Sequence, residues 1–207
     1  MDPVLEQMFS GEGTPGAGSA AAMSVALAAA LVRGHAELSL RQDGKGPAAD
    51  FLPRAEVIEI ASREILERAQ RAASADAEAF TVVLEARAVR DAAQGEARDL
   101  AAARASTALV SATWGPLEVC RMALEVAGFG LELAERGRRS ARGEARVAVL
   151  LALAAAEGCI VLGGINLKAL SPADGDESVR LREALAQCAA RQVVIAKASR
   201  LVIDRIH

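Results

Sequence analysis

The sequence of 207 residues is poor in aromatic side chains, with four Phe, one Trp and no Tyr, and it contains only two His. So few imidazoles, one of them the terminal His207, make a His-based metal centre or a Ser-His-Asp site difficult to assemble. The sequence also lacks a dinucleotide fingerprint and a phosphate loop. We therefore predict that the protein uses no metal and no cofactor.

Charge and cysteine content are also low. The net charge of −3 gives no indication of binding to nucleic acid. Cys120, Cys159 and Cys188 are far apart in the sequence, and each lies in an apolar helical pattern. They are predicted to be reduced core residues of an intracellular protein, neither a disulfide framework nor a metal site. The N-terminal residues have no basic region typical of a secretory signal, so we expect a cytoplasmic protein.

Ala, Leu, Arg and Glu dominate what is present, and apolar residues recur with a helical period. The pattern predicts an all-α fold, a single-domain helical bundle spanning residues 1–207. A breaker cluster at 42–47 and the pair Gln94-Gly95 are predicted boundaries, and Thr113-Trp114-Gly115-Pro116 predicts a helix start or a kink. Helices are expected at 2–9, 17–40, 51–90, 96–112, 117–136 and 177–206, with one more apolar helix before the last.

That apolar helix, Val147 to Leu167, resembles a membrane span in hydropathy. Glu157 at its middle would be costly inside a bilayer, and several glycines follow it. We therefore expect no membrane association. The stretch is predicted to be the central, fully buried Ala-rich helix of the bundle, whose small residues allow other helices to approach closely.

Residues 14–24 combine a glycine-rich turn with the start of an Ala-rich helix. Gly16 and Gly18 permit a close approach of a ligand, and Ser19 is a candidate N-cap. Free N–H groups at such a helix start suit an anionic or carbonyl-bearing ligand. The alternative is that the segment is only a tight turn and a helix cap.

Asp76 is unusual because it falls within an apolar stripe of its predicted helix, between Ala72 and Phe80. A carboxyl group at that position would be partly buried, and burial raises its pKa unless a partner compensates. Such groups cluster at functional sites. Two alternatives stay open: Asp76 caps a neighbouring helix, or a break near Ser74 places it in the first turn of a new helix.

A cluster of arginines precedes the apolar helix, and it is either a solvated basic loop or a clamp for carboxylates or phosphates. His35 is expected to be a packing or solvent-facing residue and not a catalytic one. The clustered residues are Arg136, Arg138, Arg139, Arg142 and Arg146.

Four segments resemble, in order and spacing, those of the formiminotetrahydrofolate cyclodeaminase / methenyltetrahydrofolate cyclohydrolase family. The segment Thr14-Pro15-Gly16-Ala17-Gly18-Ser19-Ala20-Ala21-Ala22 is similar to its Pro-Thr-Pro-Gly-Gly-Gly-Ser-Ala-Ala-Ala signature. The others are Asp76-Ala77-Glu78-Ala79-Phe80, Pro116-Leu117-Glu118-Val119, and Gly158 with Ile165-Asn166-Leu167-Lys168.

The resemblance implies an all-helical homodimer with a folate pocket near the dimer interface, and chemistry on the one-carbon unit between N5 and N10 of tetrahydrofolate. The cyclohydrolase opens 5,10-methenyltetrahydrofolate to the 10-formyl form, and the cyclodeaminase closes the 5-formimino form to methenyl with loss of ammonia. Asp76 is the expected catalytic residue. The expected substrate-binding residues are Thr14, Pro15, Gly16, Gly18, Ser19, Arg142, Glu144, Asn166 and Lys168.

The chain has no room for a formiminotransferase domain, so the cyclohydrolase reaction is expected first and the cyclodeaminase reaction is the alternative. A third hypothesis is a non-catalytic helical dimer that binds a folate-like ligand or a protein partner. Departures from the family pattern motivate it, namely Gly13, Ala17, Ser140 and Leu162 at motif positions where the family has Pro, Gly, Asn and Asn.

Overall fold

The computed structural model describes residues 16–41, 49–170 and 175–204, and the sequence predictions at 2–9 and 42–47 lie outside them. Within these residues the protein is all-α with no β-strand, which confirms the predicted fold class. Short 3-10 turns at Ala49–Phe51 and Arg139–Ala141 precede the second and fourth helices. The helices are α1 (Ala17–Leu40), α2 (Leu52–Ala92), α3 (Gly95–Arg136), α4 (Arg142–Ala169) and α5 (Gly175–Asp204).

Helices α1 to α4 form an up-and-down bundle, in which each helix runs antiparallel to the next. Arg33 of α1 pairs with Glu59 of α2 at 3.0 Å, while the start of α1 lies beside Ala73. Arg54 of α2 then pairs with Glu132 near the end of α3. Helix α5 packs against α3 and α4. Short connections between long amphipathic helices produce this antiparallel order.

The connection between α2 and α3 lies where the sequence predicts it. Ala93 and Gln94 are the only residues between these helices, and Gly95 has a φ of +57°, which favours glycine. By contrast, no helix starts at Pro116, and that alternative is wrong. Helix α3 runs continuously from Gly95 to Arg136 because Leu109 and Leu117, on either side of the proline, are both buried in the core.

Helices α2 and α3 are much longer than their neighbours. Helix α1 has 24 residues and α2 has 41, which correspond to roughly 36 Å and 60 Å at the α-helical rise. Residues beyond 77 therefore extend past the start of α1, and they pair with the N-terminal half of α3. This overhanging hairpin leaves large apolar side chains exposed, among them Val82, Val89 and Leu100.

The apolar helix is central, as predicted, because α1, α3 and α5 all pack against α4. The prediction that it is fully buried is wrong. One face is covered by Ala-rich contacts, whereas the opposite face is exposed to solvent. We call this face the α4 stripe; its large members are Val147, Leu150, Val161 and Ile165, each at least 50% exposed.

By length and composition alone, α1 and the stretch Arg139–Ala169 could cross a membrane. Core helices of water-soluble bundles meet the same criterion, so it carries little weight. Both helices pack against their neighbours in the bundle.

Candidate functional site

A cavity of about 190 Å³ lies where α1 begins, α4 ends and the α2–α3 hairpin leaves the bundle. Four helices contribute to its wall, which is mostly apolar and contains a single charged group, Asp76. Its lining residues are Gly16, Ala17, Gly18, Asp76, Ala77, Phe80, Val83, Leu109, Ala112, Pro116, Leu162 and Asn166. The fold thus brings together residues that the sequence places up to 150 positions apart.

Helix α1 starts at this cavity without a side-chain cap of its own. Gly16 is its N-cap residue, with extended backbone angles and no side-chain hydrogen bond to the first turn. Asp76 of α2 lies against this turn instead: a Cβ on Gly18 would come within 2.1 Å of Oδ1. Gly18 is therefore required for the close approach of the carboxyl group to the helix start, where the dipole favours negative charge.

Ser19 holds the Asp76 carboxyl group by hydrogen bonds, and it is not the N-cap that the sequence predicts. It is the third residue of α1 and is buried. Its hydroxyl lies 2.8 Å from the Ala73 carbonyl and 3.2 Å from Asp76 Oδ2, and its backbone N–H also bonds to that carboxyl group. The N-cap prediction fails because glycine at position 16 already provides the extended cap conformation.

The pKa of Asp76 is raised above its ordinary value of 3.8 because the group is partly buried, and the two bonds from Ser19 only partly offset this effect. Helix α2 is unbroken at Ser74, so the predicted break there is wrong. Asp76 does cap a neighbouring helix, as one alternative proposed. It also faces the cavity, as the functional hypothesis required.

Helix α4 supplies the opposite wall. Leu162 and Asn166 line the cavity, and Asn166 has no side-chain hydrogen-bond partner among the residues that the structure describes. Lys168 is exposed and does not line the cavity. Phe80, 42% exposed, also lines the cavity and presents an aromatic ring that a planar ligand could contact.

The sequence prediction missed the wall that α3 contributes. Leu109, Ala112 and Pro116 line the cavity together. The available signal was the proline: a proline that lies inside a continuous helix removes one backbone hydrogen bond and exposes a carbonyl group. The sequence pattern could not show that this group faces the same cavity as Asp76.

The remaining described site predictions, Arg142 and Glu144, lie at the other end of α4. From residue 142 to residue 166 the helix rises roughly 36 Å, so one subunit does not bring these two groups together. Arg142 contacts the Glu135 carbonyl, and Glu144 is exposed. Thr14 and Pro15 lie outside the described residues.

Several members of the arginine cluster already have partners within the protein. Arg136 pairs with Asp50 at 2.7 Å and lies over the ring of Phe51. The backbone N–H of Arg138 donates to Ser39, and its side chain contacts Ser140. These contacts hold the α3–α4 connection against the end of α1, which favours a structural role for this part of the cluster.

His35 is a buried core residue at that same end. Only 1% of its surface is exposed, and its Nε2 lies 3.0 Å from the Arg138 carbonyl. Burial lowers its pKa, and this effect outweighs the opposing contributions of that carbonyl and of Glu144. The expectation that His35 is a packing residue agrees with this position.

The three cysteines, although far apart in sequence, converge from α3, α4 and α5. Cys120 donates to the Ala156 carbonyl at 3.6 Å and lies close enough to Cys188 for the two thiols to interact, and Cys159 lies close enough to interact with Cys188 and Asp76. All three are buried free thiols, as predicted, and burial raises the pKa of Cys159 to about 12. No group of metal-ligating residues is formed within the described ranges.

The sequence and the fold of this chain are similar to those of known proteins. A family model described as "Formiminotransferase-cyclodeaminase" matches residues 1–187. Among solved structures, the crystal structure of formiminotetrahydrofolate cyclodeaminase from Thermotoga maritima is similar, with a TM-score of 0.83 and 24% sequence identity. The match covers 98% of this chain and 94% of that one, and it shows a shared fold. A search of curated proteins gave no significant match.

Proposed function

Since this chain belongs to the formiminotransferase-cyclodeaminase family, we propose that it is a formiminotetrahydrofolate cyclodeaminase. The reaction would convert 5-formiminotetrahydrofolate to 5,10-methenyltetrahydrofolate with release of ammonia. The observation that carries the proposal is the partly buried carboxyl group of Asp76, held at the wall of a cavity by Gly18 and Ser19.

The cyclodeaminase alternative replaces the cyclohydrolase as the first choice. The expectation of a cyclohydrolase depended on the absence of a transferase domain. The Thermotoga cyclodeaminase chain is matched over 94% of its length, so a chain of this size is no argument against a cyclodeaminase. The family name points to the same reaction.

Asp76 can manage the protons that this reaction moves. N10 attacks the carbon of the protonated formimino group and loses a proton, while the formimino nitrogen gains one and leaves as ammonia. One carboxyl group within reach of both nitrogens could accept the first proton and donate the second. Because burial raises the pKa of Asp76, its carboxylate is more basic than that of a solvated Asp.

The same group suits the charge of the reacting unit. The protonated formimino group and the methenyl product are both cations, and Asp76 is the one charged side chain among the residues that line the cavity. Apolar neighbours such as Val83 and Leu109 exclude water and strengthen that attraction.

The cavity is small for a whole folate. Its volume of about 190 Å³ lies below the roughly 300–1,000 Å³ that is usual for ligands of drug size. It can enclose the one-carbon unit and the adjoining ring atoms, with the remainder of the substrate outside. A second subunit would supply the missing surface.

A homodimer is the second part of this proposal, with the α4 stripe as its interface. Val147 and Ile165 lie near the two ends of the stripe, the small residues Ala154 and Gly158 lie at its centre, and the exposed carboxylate of Glu157 lies beside them. A Cβ at Gly158 would meet nothing within 4 Å, so a second helix can approach there. The apolar members of the stripe can pair with their own antiparallel copy, as a two-fold interface requires, while the two Glu157 side chains near its centre have to reach solvent at the interface edge.

This packing would bring the two separated groups of predicted site residues, one at each end of α4, close together across the interface. In an antiparallel pair of α4 helices centred between residues 154 and 158, the end that carries Glu144 lies beside the partner's cavity end. The Arg142 and Glu144 of one copy would then be near the Asn166 of the other. The carboxylates of a folate tail could contact Arg142 there.

The test is a near-ultraviolet assay of methenyl formation from 5-formiminotetrahydrofolate. We expect the wild-type protein to produce the methenyl band, and Asp76→Asn to lower kcat by about 100-fold or more. Glu78→Gln is the matched control, because Glu78 is an exposed carboxylate on the same helix; it should keep full activity.

Three results would contradict the proposal in different ways. Full activity in Asp76→Asn would show that Asp76 has no catalytic role. If the protein accelerates the loss of supplied 5,10-methenyltetrahydrofolate but forms none from the formimino compound, the cyclohydrolase hypothesis is favoured instead. Inactivity towards both substrates would favour the non-catalytic dimer.

A further inference from the structure

Pro116 removes a hydrogen bond from the wall of the cavity. In a regular helix the N–H of residue 116 would bond to the carbonyl oxygen of Ala112, but proline has no N–H. Both residues line the cavity, and helix α3 continues without interruption on either side of them. The oxygen that loses its regular partner therefore belongs to a residue of the cavity wall.

The cavity wall carries acceptors on two facing helices. Asp76 contributes a carboxylate, and the Ala112 carbonyl adds a second acceptor on the facing helix. On the donor side, the backbone N–H of Ser19 is already bonded to Asp76, and the remaining donors are the first-turn N–H groups of α1 and the side chain of Asn166. A cationic ligand group that carries several N–H bonds finds acceptors on two sides of this cavity.

We propose that the carbonyl oxygen of Ala112, released by Pro116, accepts a hydrogen bond from the formimino nitrogen of the substrate. This inference rests on the proposed cyclodeaminase function and names the group that selects its substrate. The nitrogen carries N–H bonds in the protonated formimino group, in the tetrahedral intermediate and in ammonia, so one acceptor serves it throughout.

The same geometry selects against a close analogue. In 5-formyltetrahydrofolate an oxygen without hydrogen replaces the N–H group. That oxygen would face the Ala112 carbonyl with lone pair against lone pair, which leaves a buried acceptor unpaired. The wild-type protein should therefore bind the 5-formimino compound at least about tenfold more tightly than the 5-formyl compound.

The decisive variant is Pro116→Val, which supplies the missing N–H to Ala112 and retains most of the buried side-chain volume. We expect the preference for 5-formimino over 5-formyl to fall to within about twofold, while thermal stability is unchanged or increased because the helix regains a bond. Pro116→Ala supplies the same backbone N–H with a smaller side chain. It is the variant to use if Pro116→Val fails to fold.

Gly115→Ala is the matched control. Gly115 is the adjacent, exposed residue, and a Cβ there meets nothing within 4 Å. This change strengthens the helix without supplying an N–H to Ala112, so the preference should remain as in the wild type.

Equilibrium binding of each folate, followed by calorimetry, separates the outcomes. A wild-type preference that Pro116→Val abolishes and Gly115→Ala retains supports the role of the carbonyl. A preference that both proline variants retain overturns it but leaves the cyclodeaminase function standing. A wild-type protein that binds neither folate overturns the proposed function, and this inference with it.

Discussion

The carboxyl group of Asp76 lies so close to Gly18 that any side chain at residue 18 would displace it. A Cβ there would be 2.1 Å from Oδ1 and 2.6 Å from Oδ2 of Asp76. The start of α1 and the middle of α2 are thus joined through a glycine and a carboxyl group. The junction fixes the position of the proposed catalytic group.

Gly18→Ala should damage both the junction and the activity. The new methyl group must push Asp76 away from the first turn of α1, so we expect a loss of about 1–3 kcal/mol in the free energy of unfolding. Methenyl formation should fall by at least about tenfold, because the carboxyl group moves from its position. Chemical denaturation and the near-ultraviolet assay measure the two effects.

Gly34→Ala is the control for this change. Gly34 lies in the same helix, and a Cβ there meets nothing within 4 Å. Alanine at position 34 should stabilise the protein by up to about 1 kcal/mol. Equal effects of the two substitutions would show that Gly18 has no special contact.

The stability of the protein should depend on pH through Asp76. Because the pKa of Asp76 is raised in the folded state, the folded protein holds this proton more tightly than the unfolded chain. The contribution is complete below the ordinary value of 3.8, and it is lost as the pH rises through the folded value. The difference in unfolding free energy between wild type and Asp76→Asn should therefore shift against the wild type as the pH rises.

Denaturant titrations of both proteins at several pH values measure this difference, and the shared contributions of other carboxylates cancel. A pH-independent difference would mean that Asp76 has the same pKa in both states. A shift in favour of the wild type would mean that the bonds from Ser19 outweigh burial.

His35 should make the stability of the protein depend on pH in the opposite direction. Burial lowers its pKa, so the folded protein favours the neutral imidazole. This stability is present above the ordinary value of 6.5, and it is lost as the pH falls through the folded value. The groups facing the ring are the Arg138 carbonyl and Glu144, which oppose the shift, and Arg142, which adds to it.

His35→Gln should therefore lose less stability than the wild type when the pH falls below the ordinary pKa of histidine. Thermal unfolding in a series of buffers measures the slopes. Parallel slopes for the two proteins would assign the acid sensitivity to other groups.

The α4 stripe should control the association state. Val161 is 55% exposed on this face, and Val161→Glu would replace an apolar contact of the proposed interface by a second carboxylate, one turn from Glu157. Val161→Glu should convert a dimer into monomers in sedimentation experiments and lower the affinity for folate. Val194→Glu on α5, where the side chain is 68% exposed, should leave the dimer intact.

A wild-type protein that sediments as a monomer at micromolar concentration would contradict the dimer. A Val161→Glu protein that remains dimeric would place the interface on another face.

Local patterns in the sequence predict the helices well because each helix carries its own apolar period and its own end signals. Helix α1 ends at Leu40 as predicted, and the boundary at Gln94-Gly95 follows from glycine geometry. The prediction of a helix start at Pro116 failed because buried residues on both sides stabilise α3 more than one lost hydrogen bond weakens it.

The site was harder to predict because it depends on which helix faces meet. Asp76 could be identified from its place in an apolar stripe, but its bonds to Ser19 require the antiparallel packing of α1 and α2. The same limit applies to the thiols: Cys120 and Cys188 are 68 positions apart and meet only because α5 packs on α3. No local pattern contains that information.

The double role of Asp76 has a consequence for recognising active relatives from sequence. A homologue that has lost its chemistry would still need a hydrogen-bond acceptor at position 76 to cap α1, so an aspartate there can persist for folding alone. Asn166 makes no comparable structural bond within the described ranges, so substitutions at this position would be tolerated once the reaction is no longer selected. Of the two residues, the asparagine is therefore the better marker of a working enzyme.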